Sequence, residues 1–157
     1  MIRNAINVSV NIDAPPEKVF AVLCDVERWP EWTSTMTRVQ RIDQGPFAVG
    51  SSAHVHQPRL RPAVWRVTDL EDQRNFTWTT RSLGLSMSAS HLIEPQGAGC
   101  RVVLSLELSG FIAPLASRLY GGLMERYITT ESQGLKRRCE SAAAKTTGAG
   151  AIDPGNR

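Results

Sequence analysis

No stretch of this 157-residue chain approaches the roughly 18 consecutive apolar residues that cross a bilayer. Its start, Met1-Ile2-Arg3-Asn4-Ala5, also lacks the apolar run of a secretory signal. No membrane insertion is expected. Cysteine is scarce. Cys24, Cys100 and Cys139 are odd in number and far apart, without CxxC or Cys/His ligand spacing, so neither a disulfide framework nor a metal site is expected. Free thiols fit a reducing compartment, and a soluble cytoplasmic protein is the expectation. The chain has no GxSxG, no phosphate loop, no Rossmann glycine pattern and no HExxH. That removes the grounds for hydrolase, kinase or dehydrogenase chemistry, and no cofactor is expected. A strong charge of one sign is missing too, since the net charge is only +3. Arg59, Arg61 and Arg66, and Lys136, Arg137 and Arg138, cluster without interleaved aromatics, so no nucleic-acid partner is expected.

What is present is enough apolar sequence for one core: 41% hydrophobic residues with 21% charged, an ordinary globular balance. One domain over residues 1–145 is expected, followed by a Gly- and Thr-rich flexible tail at 146–157. Ile6, Val8, Val10 and Ile12 alternate with polar residues, the period-two mark of a half-buried strand. Asp13 reads as a cap before Ala14-Pro15-Pro16-Glu17, and Pro16, Val19, Phe20 and Leu23 follow at helical spacing. A second short helical piece runs from Val26 toward Trp32, broken at Pro30.

Six strands follow, near 36–43, 51–57, 63–71, 74–82, 85–94 and 100–109, divided by Gly- and Pro-bearing turns. Leu85, Met87, Ala89, His91 and Ile93 share one face; Val102, Leu104, Leu106 and Leu108 share the next. After Gly110 the period turns helical. Ile112, Ala116, Leu119, Tyr120, Leu123 and Tyr127 predict an apolar stripe on a long helix reaching about Ala144. Gly121, Gly122 and Gly134 each cost that helix about 1 kcal/mol relative to alanine, so packing must hold it. The predicted architecture is α+β: a curved seven-stranded antiparallel sheet wrapped around a long C-terminal helix, with two short helices plugging one end. One helix cannot cover seven strands, and the gap it leaves is the default ligand site.

In this order and spacing the chain resembles the START-like, Bet v 1-like superfamily, and within it the polyketide cyclase/dehydrase (SRPBCC) group. The carriers are Ala14-Pro15-Pro16-Glu17-Lys18-Val19-Phe20, Asp25-Val26-Glu27-Arg28-Trp29-Pro30-Glu31-Trp32, Trp65-Arg66-Val67-Thr68, Trp78 and His91-Leu92-Ile93-Glu94-Pro95. The resemblance implies a helix-grip fold and a cavity for a lipid- or polyketide-like molecule. It also implies that a minority of members cyclise, aromatise or dehydrate in that cavity. Aromatase/cyclase members place a tyrosine shortly after the Trp-Pro segment and an arginine at the far end of the Trp-bearing strand. Here those places hold Met36 and Asp69.

His91 should point inward among apolar neighbours, either as a core histidine bonded to a carbonyl or hydroxyl, or as a proton-moving group. Tyr120 and Tyr127 lie on the long helix, one or both facing the sheet; Tyr127, deeper along it, either packs in the core or reaches a ligand, and it and His91 are the candidate catalytic pair. The candidate wall comprises Trp32, Trp65, Val67, Phe76 and Trp78 among the larger groups. It is completed by Met87, Ala89, Leu104, Leu119 and Leu123, with His91 and Tyr127. Trp29 is assigned to the structural plug. Arg66, Arg81, Arg101 and Glu107 fall on polar faces. His54 and His56 share a strand face with no third ligand nearby, so they read as surface residues. The reading that follows is a binder of a hydrophobic or aromatic small molecule, monomeric or homodimeric. A cyclase- or dehydratase-type enzyme and an accessory domain working through protein contacts are the alternatives.

Overall fold

A computed structural model describes residues 4–147, with side chains over residues 5–141. The chain runs β1 (Asn4–Ile12), α1 (Pro16–Cys24), a 3-10 segment (Val26–Glu31), β2 (Arg38–Arg41), β3 (Ser52–His56), β4 (Ala63–Glu71), β5 (Asn75–Ser82), β6 (Leu85–Gln96), β7 (Gly99–Ser109) and α2 (Ala113–Thr147). All seven strands form one antiparallel sheet in the order β1-β7-β6-β5-β4-β3-β2. The first strand therefore joins the last and leaves β2 as the opposite edge. The α+β helix-grip expectation holds. Helix α2 runs two residues into the segment expected to be a tail; residues 148–157 lie outside the described residues.

Sheet register follows the alternation in the sequence. Val8 pairs with Leu104 and His91 with both Phe76 and Leu104, so the apolar sets of neighbouring strands fall on one face. Between Val67 and Asp69 a bulge shifts the β4–β5 register, which bends the sheet where it must curl over the helix. The β5–β6 hairpin turns on Leu83-Gly84, with Gly84 at φ +75°, a left-handed conformation that glycine takes without a Cβ penalty.

Asp13 is not the cap of α1. Pro15 occupies that place without a side-chain bond, and Pro16 at the first helical position supplies the preset φ. The Asp13 N–H instead donates to Glu140 on α2 at 3.0 Å. Lys136 donates to both Glu140 and the Asn11 carbonyl, at 2.6 and 2.7 Å, so the second half of α2 is stapled to the end of β1. The segment at Val26–Glu31 is 3-10 rather than α-helical and carries Pro30 without ending there.

Helix α2 lies over β1 and β7, and the predicted stripe matches its buried face only in part, at Ala116 and at the cavity-lining Tyr127. Its buried positions are Ala113, Ala116, Met124, Ile128, Glu131, Ser132, Leu135 and Cys139, whereas Leu119 and Tyr120 face outward. The helix comes close to the 3-10 segment's end at Gly134, where a Cβ would collide with the Trp32 carbonyl oxygen. That contact accounts for one of the three costly glycines. Gly122 faces open space and Gly121 has only ordinary contact with Ser117, so nothing in the structure requires glycine at either.

The β2–β3 connection is closed by Asp43, which accepts from the Ser52 N–H (2.9 Å), Arg41 (2.8 Å) and the Ser51 hydroxyl (3.0 Å). The Ser52 N–H bond foremost, then Arg41, holds the Asp43 carboxyl down to about 2. A depressed carboxylate contributes stability that is present above its unfolded value near 3.8 and is lost as pH falls through about 2. Asp43→Asn is therefore expected to flatten the acid limb of the stability curve between roughly pH 4 and pH 2. Chemical denaturation at stepped pH checks this. An unchanged slope means the loop bonds do not form.

Candidate functional site

Between α2 and the concave face of β4–β7 lies a cavity of about 70 Å³. Its floor is apolar: Trp65 from β4, Trp78 from β5, Met87 and Ala89 from β6, and Leu104 from β7. Each is there because alternation places it inward on its strand. Trp29 from the 3-10 segment closes one end, and Met124, Tyr127 and Ile128 form the helix wall. Gln57 and Leu60 of the β3–β4 loop border the other end.

Within this apolar surround sits one buried polar pair. His91 is 2% exposed and Glu131, from α2, 8%. His91 Nδ1 lies 3.1 Å from the Phe76 carbonyl oxygen, which only accepts, so Nδ1 carries the hydrogen. Nε2 lies 2.9 Å from Glu131 Oε1. That bond needs one proton between the two atoms, given either by an imidazolium to a carboxylate or by a carboxylic acid to a neutral imidazole. In both forms the pair is neutral overall and holds one transferable proton. Packing fixes the imidazole: it stacks on Phe76 at 5.1 Å and 9°, and meets Trp29 edge-on at 5.4 Å.

The Tyr127 ring lines the cavity, but its hydroxyl donates to the Pro58 carbonyl and ties the β3–β4 loop to the helix. The partner of His91 is therefore Glu131, a residue the sequence reading did not single out. The signal was available in retrospect. Glu131 continues the row Met124, Ile128, Leu135 at three- and four-residue spacing, and a carboxylate on a buried row needs a partner.

The remaining expectations divide by placement. Trp65, Trp78, Met87, Ala89, Leu104, His91 and Tyr127 come together on the cavity wall. Phe76 and Val67 are wholly buried behind it, Phe76 as the stacking support of His91. Trp32 is buried against Gly134 outside the wall, and Trp29, assigned to the plug, reaches the cavity in its place. Leu119 is 67% exposed on the outer face of α2, which corrects its inward placement, and Leu123 is half-buried off the wall. Met36 borders the cavity. Asp69 is exposed and accepts a 2.6 Å bond from Asn75. Arg66, Arg81, Arg101 and Glu107 are exposed, as their polar-face assignment requires. Burial raises the Cys24 and Cys139 thiols to about 12, which removes them as nucleophiles near neutral pH.

A curved antiparallel sheet gripping one long helix over an internal cavity is the architecture of the START and Bet v 1 superfamily. Solved structures share it. The Zhui aromatase/cyclase from a Streptomyces species superposes with a TM-score of 0.74 at 16% identity, covering 96% of this chain and 100% of its own. A START superfamily protein from Mycobacterium smegmatis gives a TM-score of 0.70 at 14% identity over 88% of this chain and 98% of its own. A Thermus thermophilus protein gives 0.72 at 18% identity, over 89% and 99%. The chain belongs to the polyketide cyclase/dehydrase and lipid transport family, whose sequence profile matches residues 3–143. Uncharacterized proteins of Mycobacterium tuberculosis and Mycobacterium bovis are 22% identical over 119 residues, 68% of this chain. The chain spans 64% of the length of those relatives. Among the described residues no helix is long and apolar enough to cross a membrane.

Proposed function

We propose that this protein binds an apolar or aromatic small molecule, lipid- or polyketide-like, between the sheet and α2. The observation that carries this reading is the cavity itself, walled mainly by apolar side chains, with His91 and Glu131 as its buried polar pair and Gln57, Ser90 and Ser105 at its borders. Apolar walls favour burial by roughly 2.5 kcal/mol per 100 Å² of ligand surface before ordering costs. With both His91 nitrogens already bonded, Glu131 Oε2 is the polar atom of the pair left to orient a ligand group. At about 70 Å³ the space suits one ring or a short acyl segment.

A second reading is supported by the pair. A neutral dyad with one proton can protonate a leaving hydroxyl while the vacated site accepts a proton from the adjacent carbon. Water then leaves, a C=C bond forms, and the dyad returns to its starting state. That is the dehydration step of a cyclase- or dehydratase-type enzyme. The test is to purify the protein, denature it gently and identify co-purifying small molecules by mass spectrometry. Thermal shifts against fatty acids, sterols and aromatic polyketides follow. A stoichiometric compound recovered unchanged supports binding, and a compound converted on incubation supports the enzyme reading. No bound molecule and no stabilising compound sinks both.

A further inference from the structure

The buried pair meets a ligand through one atom, and that atom only accepts hydrogen bonds. His91 Nδ1 is taken up by the Phe76 carbonyl at 3.1 Å and Nε2 by Glu131 Oε1 at 2.9 Å. Glu131 Oε2 has no hydrogen-bond partner among the described residues. It is not closed off either, because the sole side-chain polar atom there that is both sealed and unpartnered is Arg41 Nε. Oε2 therefore opens onto space, and the space that Glu131 lines is the cavity. With the shared proton on Nε2, Oε2 is half of a carboxylate. With the proton on Oε1, Oε2 is the carbonyl oxygen of a carboxylic acid. An acceptor faces the cavity in both forms.

The rest of the wall offers nothing to an ionised ligand. Neither lysine nor arginine lines the cavity, and the pair is neutral overall. The Tyr127 hydroxyl donates to Pro58 and the Ser105 hydroxyl to Asn7. Ser90 stands opposite Ser105 on neighbouring strands, and alternation turns its side chain away from the face that Ala89 and His91 present. Gln57 lies at the loop end of the space. A carboxylate placed beside Oε2 meets another acceptor, and an ammonium finds no net counter-charge, so each is an unpaired buried ion. A purely apolar group that displaces water from Oε2 leaves a buried acceptor unmatched. A neutral group with an O–H to give carries neither penalty.

We infer that the ligand is a neutral alcohol or phenol, held with its ring or chain against Trp65, Trp78 and Met87 and its hydroxyl donating to Glu131 Oε2. The inference rests on the binding reading above and narrows it. Carboxylic acids of the same skeleton, free fatty acids among them, are turned away by the pair, and ethers and hydrocarbons are held less tightly because they have no hydrogen to give.

The test is isothermal titration calorimetry of the full chain with para-cresol, para-methylanisole, para-methylbenzoate and para-xylene. The cresol gives a hydrogen bond, the anisole only accepts one and the benzoate is ionised near neutral pH. Xylene does neither and reports whether the cavity takes apolar molecules at all. Para-cresol is expected to bind at least about tenfold tighter than the anisole and the benzoate. Glu131→Gln, whose carbonyl replaces Oε2 while its amide meets His91, should keep the preference for cresol over anisole. Glu131→Leu should bring that ratio down to about one. His91→Leu combined with Glu131→Leu removes both halves of the pair and supplies the same reading if the single leucine variant does not fold. Anisole or benzoate bound by the parent as tightly as cresol, or xylene bound and cresol not, overturns the inference and leaves the cavity a binding site. A cresol preference that survives the leucine variants overturns it as well, since another group then takes the hydroxyl. Binding of none of the compounds overturns it together with the binding reading.

Discussion

Glu131→Leu is expected to lower the unfolding free energy by about 1–3 kcal/mol, and Glu131→Gln by less than about 1 kcal/mol. Leucine leaves His91 Nε2 buried with nothing to bond, whereas the glutamine amide can still meet it as donor or acceptor. Urea unfolding of both variants checks the contrast; a leucine variant as stable as the parent means the pair does not form. The same substitutions separate the two functional readings. Glutamine preserves shape and hydrogen bonding but cannot hold the shared proton. A ligand that is only bound should therefore raise the melting temperature of Glu131→Gln much as it does the parent. A ligand that is converted should be converted roughly 10²–10⁴-fold more slowly, as loss of a general acid–base group produces. Conversion at the parental rate removes the carboxyl from the proton path.

Trp29→Ala should cost about 3–5 kcal/mol, the largest loss of stability expected from one side chain here. Trp29 is fully buried and touches Trp32, Phe76, Trp78 and His91, with ring centroids 5.2–6.2 Å apart. Its Nε1–H donates to the Leu23 carbonyl at 3.0 Å, which alanine leaves unpaired. The melting temperature should fall by roughly 6–20 °C. Leu83→Ala, at an exposed tip, should change stability by less than about 0.5 kcal/mol. Calorimetry on the two variants compares them directly, and a small effect at Trp29 means the aromatic cluster is not the core of the fold.

The sheet was legible because alternation is a local signal that register amplifies. β4 occupies the expected 63–71, and β6 and β7 differ from expectation by two residues or fewer at each end. β2 is shorter than expected because its first residues lie in the turn where Thr33 and Thr35 bond each other at 2.8 Å. The helix face was misread for a physical reason. Leu115, Leu119 and Tyr120 supply apolar residues on the exposed side, while Glu131 and Ser132 interrupt the buried row with polar ones. Periodicity rewards hydrophobicity, and a buried carboxylate paired to a histidine 40 positions away in sequence carries none. The exchange of Trp29 and Trp32 has a similar origin. In a 3-10 segment residues three apart eclipse, so both rings leave on one side. Which of them reaches the cavity depends on where α2 crosses, and that is a tertiary fact.

The close contact of Gly134 with Trp32 gives α2 a fixed point part-way along its length. Behind it the helix is fastened to β1 through Lys136, Glu140, Asn11 and Asp13. Ahead of it, 21 residues back to Ala113 make an arm of roughly 30 Å. Pivoting that arm by about 5° displaces its tip by about 2.6 Å with every helical hydrogen bond intact. A small tilt of one rigid rod therefore moves the sheet–helix spacing least beside Gly134 and most toward Ala113, with the Tyr127–Pro58 bond restraining it between the two.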